Sequence, residues 1–276
     1  MQTVEAGGAK IPIVGLGTWT LGGRECARLV EQAIAAGYRH IDTAQMYGNE
    51  REVGEGVRAS GKRDRVFITT KVQPENLAPA ALERSVKESL AKLRLPEVDL
   101  LLIHWPNPRV PLPETIGALN KMKSAGYARH IGVSNFTVAL IEEATRLSSA
   151  PLICNQIECH PFLDQSKVIA ACKAHNMAVV AYSPIARGSA KSDAVLTRIG
   201  KLHGKPPGKR ATQVCLRWLT QQGIVVIPRT SKVERLAENI ALFDFELTGA
   251  QMKEIAGLSR PRGRIVDWAY SPDWDR

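Results

Sequence analysis

The sequence lacks a cysteine framework. Its five cysteines are odd in number and include no Cys-x-x-Cys pair, so they do not form the closed set of disulfides that staples small secreted domains. Cys154, Cys159 and His160 lie close together, but their spacing fits no zinc pattern, and no metal is expected. Reduced, mostly buried thiols in a cytoplasmic protein are the expectation instead. Long hydrophobic runs are missing too. Stretches such as Leu100 to Ile103 and Ile224 to Ile227 fall far below the roughly 20 residues that span a bilayer. The opening Met1 to Glu5 has no basic segment leading into an apolar one, so no secretory leader is expected. No Ser/Gly/Pro linker divides the chain, which predicts one domain over residues 1–276. Basic charge is in excess, 37 Lys and Arg against 27 Asp and Glu, for a net charge of +10. That charge is scattered, and its densest cluster runs from Lys201 to Arg210. With no RNA-binding signature and no basic amphipathic helix, neither nucleic acid nor a membrane is an expected partner. Most of the charge reads as solvated surface, with some reserved for an anionic ligand.

What the chain does have is ordinary globular composition, 44% apolar and 23% charged, and enough length to bury a core without staples. Its organisation is an alternation. Short β-branched or Leu-rich runs occur at 14–17, 40–42, 66–71, 98–104, 128–134, 152–156, 178–182 and 223–227. Between them lie stretches of helical character near 24–36, 50–59, 79–93, 113–125, 137–147, 165–175, 210–221 and 232–241. In one of these, Leu82, Val86 and Leu90 fall at i, i+4 and i+8, on one helical face. Eight such repeats predict an α/β chain closed into a (β/α)8 TIM barrel, with a doubly wound open sheet as the alternative. Residues 1–11, with Gly7-Gly8 at a turn, predict an N-terminal β-hairpin. Residues 258–276 carry Trp268 and Trp274 but no helical period, and predict a C-terminal tail, either frayed or a flap on the substrate side.

In such a barrel the chemistry sits at the C-terminal ends of the strands. Those positions hold Gly17-Thr18-Trp19, Asp42, Lys71, His104-Trp105, Ser134-Asn135, Asn155-Gln156, Tyr182-Ser183 and Pro228-Arg229. An isolated Asp or Lys there ordinarily caps a helix or faces water. Asp, Lys and His on three successive strands, with Tyr47 shortly after Asp42, are a constellation rather than a coincidence.

The segment Gly37-Tyr-Arg-His-Ile-Asp42-Thr-Ala-Gln-Met-Tyr47-Gly-Asn-Glu50 resembles the first signature of the aldo-keto reductases. Ile131-Gly-Val-Ser-Asn-Phe136 resembles the second, and Ile227-Pro-Arg-Thr-Ser-Lys-Val-Glu-Arg235-Leu-Ala-Glu-Asn239 the third. Asn155-Gln-Ile-Glu-Cys-His-Pro161 and Tyr182-Ser-Pro184 match in order and spacing, so the similarity runs from about Val14 to about Glu246. Short central loops and the ending from Arg264 to Trp274 are similar to the small prokaryotic branch of 2,5-diketo-D-gluconate reductases. The resemblance implies a barrel that reduces aldehydes and ketones with NADPH, using a catalytic tetrad of Asp42, Tyr47, Lys71 and His104.

It also implies NADP extended across the barrel mouth. Tyr182 would stack on the nicotinamide, and Ser134, Asn135 and Gln156 would bind its carboxamide. Arg229, Thr230 and Arg235 would hold the 2′-phosphate, with Glu238 and Asn239 at the adenine. Gly17, Thr18, Trp19, Asp42, Ser183, Arg187, Gly188 and Ser231 complete the expected cofactor set. Arg229-Thr230 stands where the family most often has Lys-Ser, which leaves NADH as a weaker alternative cofactor. Trp19, Tyr47, His104, Trp105 and Trp268 are expected around the substrate. That substrate would be a small polar activated carbonyl: a 2,5-diketo-D-gluconate-like keto acid, an α-dicarbonyl or a β-keto ester. A monomer is the family-level expectation. The competing reading is a regulatory barrel that binds NADP without turnover, and the complete tetrad argues for chemistry instead.

Physical chemistry gives the tetrad its roles. Reducing a carbonyl requires a hydride at carbon and a proton at the developing alkoxide. Free tyrosine, with a pKa of about 10, is a weak donor at neutral pH, and an adjacent ammonium makes the phenolate easier to form. Lys71 can supply that cation, Asp42 can keep it charged and oriented, and a neutral His104 can donate to the carbonyl oxygen. Two competing patterns fail. Gly15-Leu-Gly17 begins a dinucleotide-binding fingerprint, but Thr20 occupies the third glycine position. The Tyr-x-x-x-Lys pair of short-chain dehydrogenases is absent, since Arg51 follows Tyr47 at that spacing.

Overall fold

In the computed structural model, which describes residues 2–204 and 208–275, the eight short apolar runs become eight parallel strands. Lys205, Pro206 and Pro207 of the basic cluster lie outside the described residues, as do Met1 and Arg276. A hairpin of β1 (Thr3–Ala6) and β2 (Ala9–Pro12) comes first, turning at Gly7 and Gly8, both at positive φ. The barrel strands are β3 (Leu16–Gly17), β4 (His40–Asp42), β5 (Phe67–Val72), β6 (Val98–Ile103), β7 (Ala128–Ser134), β8 (Leu152–Glu158), β9 (Ala178–Tyr182) and β10 (Val225–Val226). Each is hydrogen-bonded to its neighbour in sequence. The two ends meet through a parallel bridge between Val14 and Val226, with Gly15 N–H donating to Val226 O at 2.8 Å and Val226 N–H to Ile13 O at 2.9 Å. A closed sheet leaves no edge to protect.

The connecting helices are α1 (Gly23–Ala35), α2 (Glu50–Ala59), α3 (Pro79–Leu93), α4 (Leu112–Ser124), α5 (Val138–Leu147), α6 (Ser166–Ala174), α7 (Ala194–Lys201), α8 (Ala211–Thr220), α9 (Glu234–Ile240) and α10 (Gly249–Ala256). Helices cover the outer face of the sheet and side chains fill its inside. For that reason β6 and β8 are buried along their whole length and read as continuous rather than alternating runs. The hairpin plugs the bottom of the barrel. Ala6, Ala9 and Ile11 pack with Leu100, Leu102, Ile153, Val180 and Val225 of the interior. The opposite mouth is left for a site.

Two helices differ from the sequence reading, and the structure decides between the two states left open for the tail. The helix α7 is not among the expected helical stretches, although Asp193 caps it by accepting the Leu196 N–H at 2.9 Å. The helix α10 was also missed, although Thr248 and Gln251 form a reciprocal capping box. Both are eight residues long. The tail is docked rather than frayed: Arg260 N–H donates to Phe162 O at 3.2 Å, and Asp275 accepts the Val138 N–H at 3.0 Å at the start of α5.

Helix packing makes one glycine sensitive and leaves another idle. A Cβ on Gly54, in α2, would lie 2.2 Å from the Leu93 carbonyl oxygen, whereas Gly117, inside α4, has open space around it. We expect Gly54→Ala to cost about 1–3 kcal/mol by overpacking against backbone. Gly117→Ala should gain about 0.4–1 kcal/mol by removing unfolded-state freedom. Thermal unfolding of the two variants checks both signs; equal effects would show that α2 and α3 do not meet this closely.

Candidate active site

Three strands deliver the reactive groups to the mouth. Asp42 ends β4, Lys71 is the penultimate residue of β5, and His104 follows β6. Tyr47 is brought over them by a single helical turn, Gln45–Tyr47, immediately after β4. Lys71 is fully buried and donates three hydrogen bonds: to Asp42 Oδ1 at 2.6 Å, to Thr43 O at 2.9 Å and to the Tyr47 hydroxyl oxygen at 3.2 Å. Its donor capacity is thereby filled. The other Asp42 oxygen, Oδ2, accepts from Gln156 Nε2 at 2.8 Å. Tyr47 and His104 meet edge to face, with centroids 5.6 Å apart.

Burial works against the Lys71 charge, but Asp42, with Tyr47, outweighs it and leaves the ammonium pKa above the ordinary lysine value. The sequence reading had Lys71 lowering the Tyr47 pKa. Lys71 does pull it down, but burial pushes harder, and the net result is a phenol above its ordinary value. The hydroxyl is thus fully protonated at neutral pH, as a proton donor must be. Burial, reinforced by Lys71, holds His104 well below the ordinary imidazole value, so its ring is neutral.

Asp42, Tyr47 and His104 line a cleft of about 680 Å³, and Lys71 lies buried behind them. Of the residues expected from sequence, Gly17, Trp19, Asp42, Tyr47, His104, Trp105, Asn135, Gln156, Tyr182, Ser183, Arg187, Gly188, Arg229, Thr230, Ser231, Arg235 and Trp268 line it. Thr18 and Ser134 sit behind the wall, their hydroxyls donating to Asp42 O and Gln156 O. Glu238 and Asn239 are away from the lining. Glu238 pairs with Arg210 at 3.1 Å, and Asn239 lies beside the Tyr38 hydroxyl. The tail arginines are also off the wall: Arg262 is exposed, and Arg264 lies over the Trp274 ring at 3.7 Å.

Several wall residues were not read from sequence. Met46 follows from its place beside Tyr47, and Lys191 and Lys232 from being loop cations near expected positions. Val266 and Tyr270 depend on how the tail docks, for which the sequence gives no periodic signal. Behind the wall, Asn49 was also missed. It is buried, donates to Thr18 O and Leu21 O, and accepts from the Thr43 hydroxyl, so it ties the loop bearing Trp19 to the end of β4.

Backbone strain gathers here. Among non-glycine residues at positive φ, Thr20, Asn135, Ser183 and Arg187 all line the cleft. The Asn135 side chain is held by three hydrogen bonds, its Nδ2 donating to His104 O at 3.0 Å and Ser134 Oγ at 3.1 Å and its Oδ1 accepting from the Tyr182 hydroxyl at 2.8 Å. The ring of Tyr182 is thereby fixed against the cleft.

The charges in the wall are lopsided. Arg187, Lys191, Arg229, Lys232 and Arg235 line it, against the single carboxylate of Asp42. Asp42 is already matched by Lys71, while none of those five cations forms an ion pair among the described residues. A cleft with unpaired cations in its wall, and a tyrosine and a histidine at its floor backed by a buried lysine, fits a polyanionic dinucleotide with its reactive ring at the floor.

Comparison with known proteins agrees with this chemistry. The aldo/keto reductase family model matches residues 13–260. The methylglyoxal reductase DkgB of Escherichia coli O157:H7 is 40% identical over 269 residues, covering 96% of this chain and 99% of the relative. A crystal structure of a protein provisionally named 2,5-diketo-D-gluconic acid reductase B is 48% identical, with a TM-score of 0.97 over 100% of this chain and 98% of that one. The aldose reductase of Schistosoma japonicum is 29% identical, with a TM-score of 0.88, covering 95% and 94% of the two chains.

The buried histidines set a pH dependence. His104, and likewise His40, stay neutral in the folded chain because burial depresses their pKa values. The unfolded chain takes up those protons at about pH 6.5. Stability is therefore expected to fall as the pH drops below about 6.5, and to do so less steeply in His104→Gln. Imidazole NMR should show no protonation of His104 in the range where ordinary histidines titrate; a normal titration would refute the neutral ring.

Proposed function

The chain belongs to the aldo/keto reductase family and is an oxidoreductase acting on carbonyl or CH–OH groups; from that premise we propose that it reduces small activated carbonyls with NADPH, Tyr47 giving the proton. The observation that carries the reading is the direction of the hydrogen bond at Tyr47. Because Lys71 donates to the Tyr47 oxygen, the phenol proton is not needed there and is free to point into the cleft. When bound in the cleft, a nicotinamide cofactor would supply the hydride that the carbonyl carbon requires. As negative charge develops on the carbonyl oxygen, Tyr47 protonates it, and the Lys71 ammonium stabilises the phenolate left behind. Asp42 keeps Lys71 charged and aimed through the reaction. For His104, Nδ1 is buried with no partner; we assign its proton to Nε2, which leaves that N–H to orient the carbonyl oxygen.

NADPH is the preferred cofactor in this reading because Arg229 and Arg235 lie in the wall with no carboxylate partner, available to a 2′-phosphate. For the substrate, Trp19, Trp105 and Trp268 give an apolar wall without a cation of its own from the tail. That favours compact α-dicarbonyls, in line with the DkgB relatives named methylglyoxal reductase, over keto acids that need an arginine clamp. Diketo sugar acids and β-keto esters remain within the class, with the cationic wall assisting the encounter of anionic ones.

Two variants test the assignment. Tyr47→Phe should lower methylglyoxal-dependent NADPH oxidation by on the order of 10²-fold or more while NADPH still binds; turnover at the wild-type rate would sink the proton donor. Arg235→Ala should weaken NADPH binding by about 1.5–3 kcal/mol, the worth of a charge-assisted contact, and scarcely change NADH. Equal losses for both cofactors would place Arg235 on a part they share.

A further inference from the structure

Glu158, the last residue of β8, is fully buried and outside the reaction just described. Its oxygens accept two successive backbone N–H groups of the tail, Ile265 at Oε1 and Val266 at Oε2, each at 2.8 Å. His160 Nε2 lies 2.9 Å from Oε1; its Nδ1 has no partner, so Nε2 carries the proton and is a third donor. Three N–H groups converging on one buried carboxylate make charge-assisted bonds, stronger than neutral ones. Because two of them come from the backbone, they fix the path of the chain rather than one side chain.

The same crossing is tight just upstream. A Cβ on Gly263 would lie 1.7 Å from the Phe162 carbonyl oxygen, so only glycine lets the tail pass over the end of β8 at this distance. Downstream, Val266, Trp268 and Tyr270 enter the cleft wall, and Tyr270 meets the Trp105 ring edge to face at 5.3 Å. Two residues before Glu158 on β8, Gln156 holds Asp42. One strand therefore carries both the brace of the catalytic ion pair and the brace of the tail.

We propose that Glu158 is a specificity-determining positioning residue, whose buried carboxylate anchors the C-terminal tail so that Val266, Trp268 and Tyr270 form the substrate wall. This rests on the reading of the cleft as a carbonyl-reduction site. A carboxylate is required because glutamine would turn an NH₂ group toward one of the three N–H donors. That would set donor against donor at a fully buried position.

The test uses the full chain with methylglyoxal and NADPH, in Glu158→Gln and, as an independent route to the same crossing, Gly263→Val. Each should raise KM for methylglyoxal by on the order of tenfold, about the loss of one charge-assisted bond. The turnover number and the NADPH dissociation constant should stay within about twofold, and amide exchange over residues 264–275 should accelerate. In the double variant KM should be no worse than in the poorer single one, because both changes undo one docking event. An unchanged KM, a tail still protected from exchange, additive KM effects, or parallel losses of turnover and NADPH affinity would each overturn the proposal. If Glu158→Gln does not fold, Gly263→Val decides alone by the same criteria. A wild type that turns over no carbonyl would defeat the functional reading instead; the anchoring would then be judged by exchange, and a protected tail in the variants would overturn it.

Discussion

The buried ion pair of Lys71 and Asp42 is the interaction on which the rest of the site depends. An ammonium taken out of water loses several kcal/mol of hydration, and this one recovers it only because a carboxylate, a carbonyl and a phenol are fixed around it. Those partners come from one strand end and the turn that follows it, so the pairing of β4 with β5 must be in register before the charge is tolerable. Gln156 then reaches Asp42 from β8, across the lumen. The tetrad is therefore also a cross-brace of the barrel. Removing either member of such a pair leaves an uncompensated charge, commonly a loss of about 3–5 kcal/mol.

Asn135 shows a second way in which the scaffold and the chemistry share parts. It sits at positive φ, binds the backbone oxygen of His104 and fixes the hydroxyl of Tyr182. Strain at that one residue places the His104 imidazole and an aromatic cleft face in a defined relation. The energy needed to hold it is supplied by the enclosing strands β6, β7 and β9, which the closed sheet holds in place.

What was legible in the sequence follows from the range of each signal. Strands β4, β7 and β9 and helices α2 and α3 were read with their observed bounds, because apolar runs and helical faces are local patterns. Asp42, Lys71 and His104 were legible because a barrel makes strand ends converge, so sequence position implies spatial position. Glu158 and Asn49 were not, since their partners lie in a distant tail and a neighbouring loop and no period connects them. The pKa balance at Tyr47 was misjudged for a related reason. Residue type announces the lysine beside it, but only the depth of burial decides which effect prevails.

The bridge that closes the barrel joins Val14 to Val226, residues from nearly opposite ends of the chain. The strands on either side, β3 and β10, are the shortest in the sheet, at two residues each. Closing so long a loop carries a large entropic cost, and the return is three backbone hydrogen bonds: Gly15 N–H to Val226 O, Val226 N–H to Ile13 O and Gly17 N–H to Pro228 O. The cleft lies directly over it, with Trp19 on one lip and Arg229 on the other, where Arg229 Nε donates to Trp19 O at 3.3 Å beside the Gly17 N–H bond to Pro228 O at 3.2 Å. A ligand that touches both lips is therefore a suture as well as a reactant. It closes the molecule along the line where the chain alone closes it least.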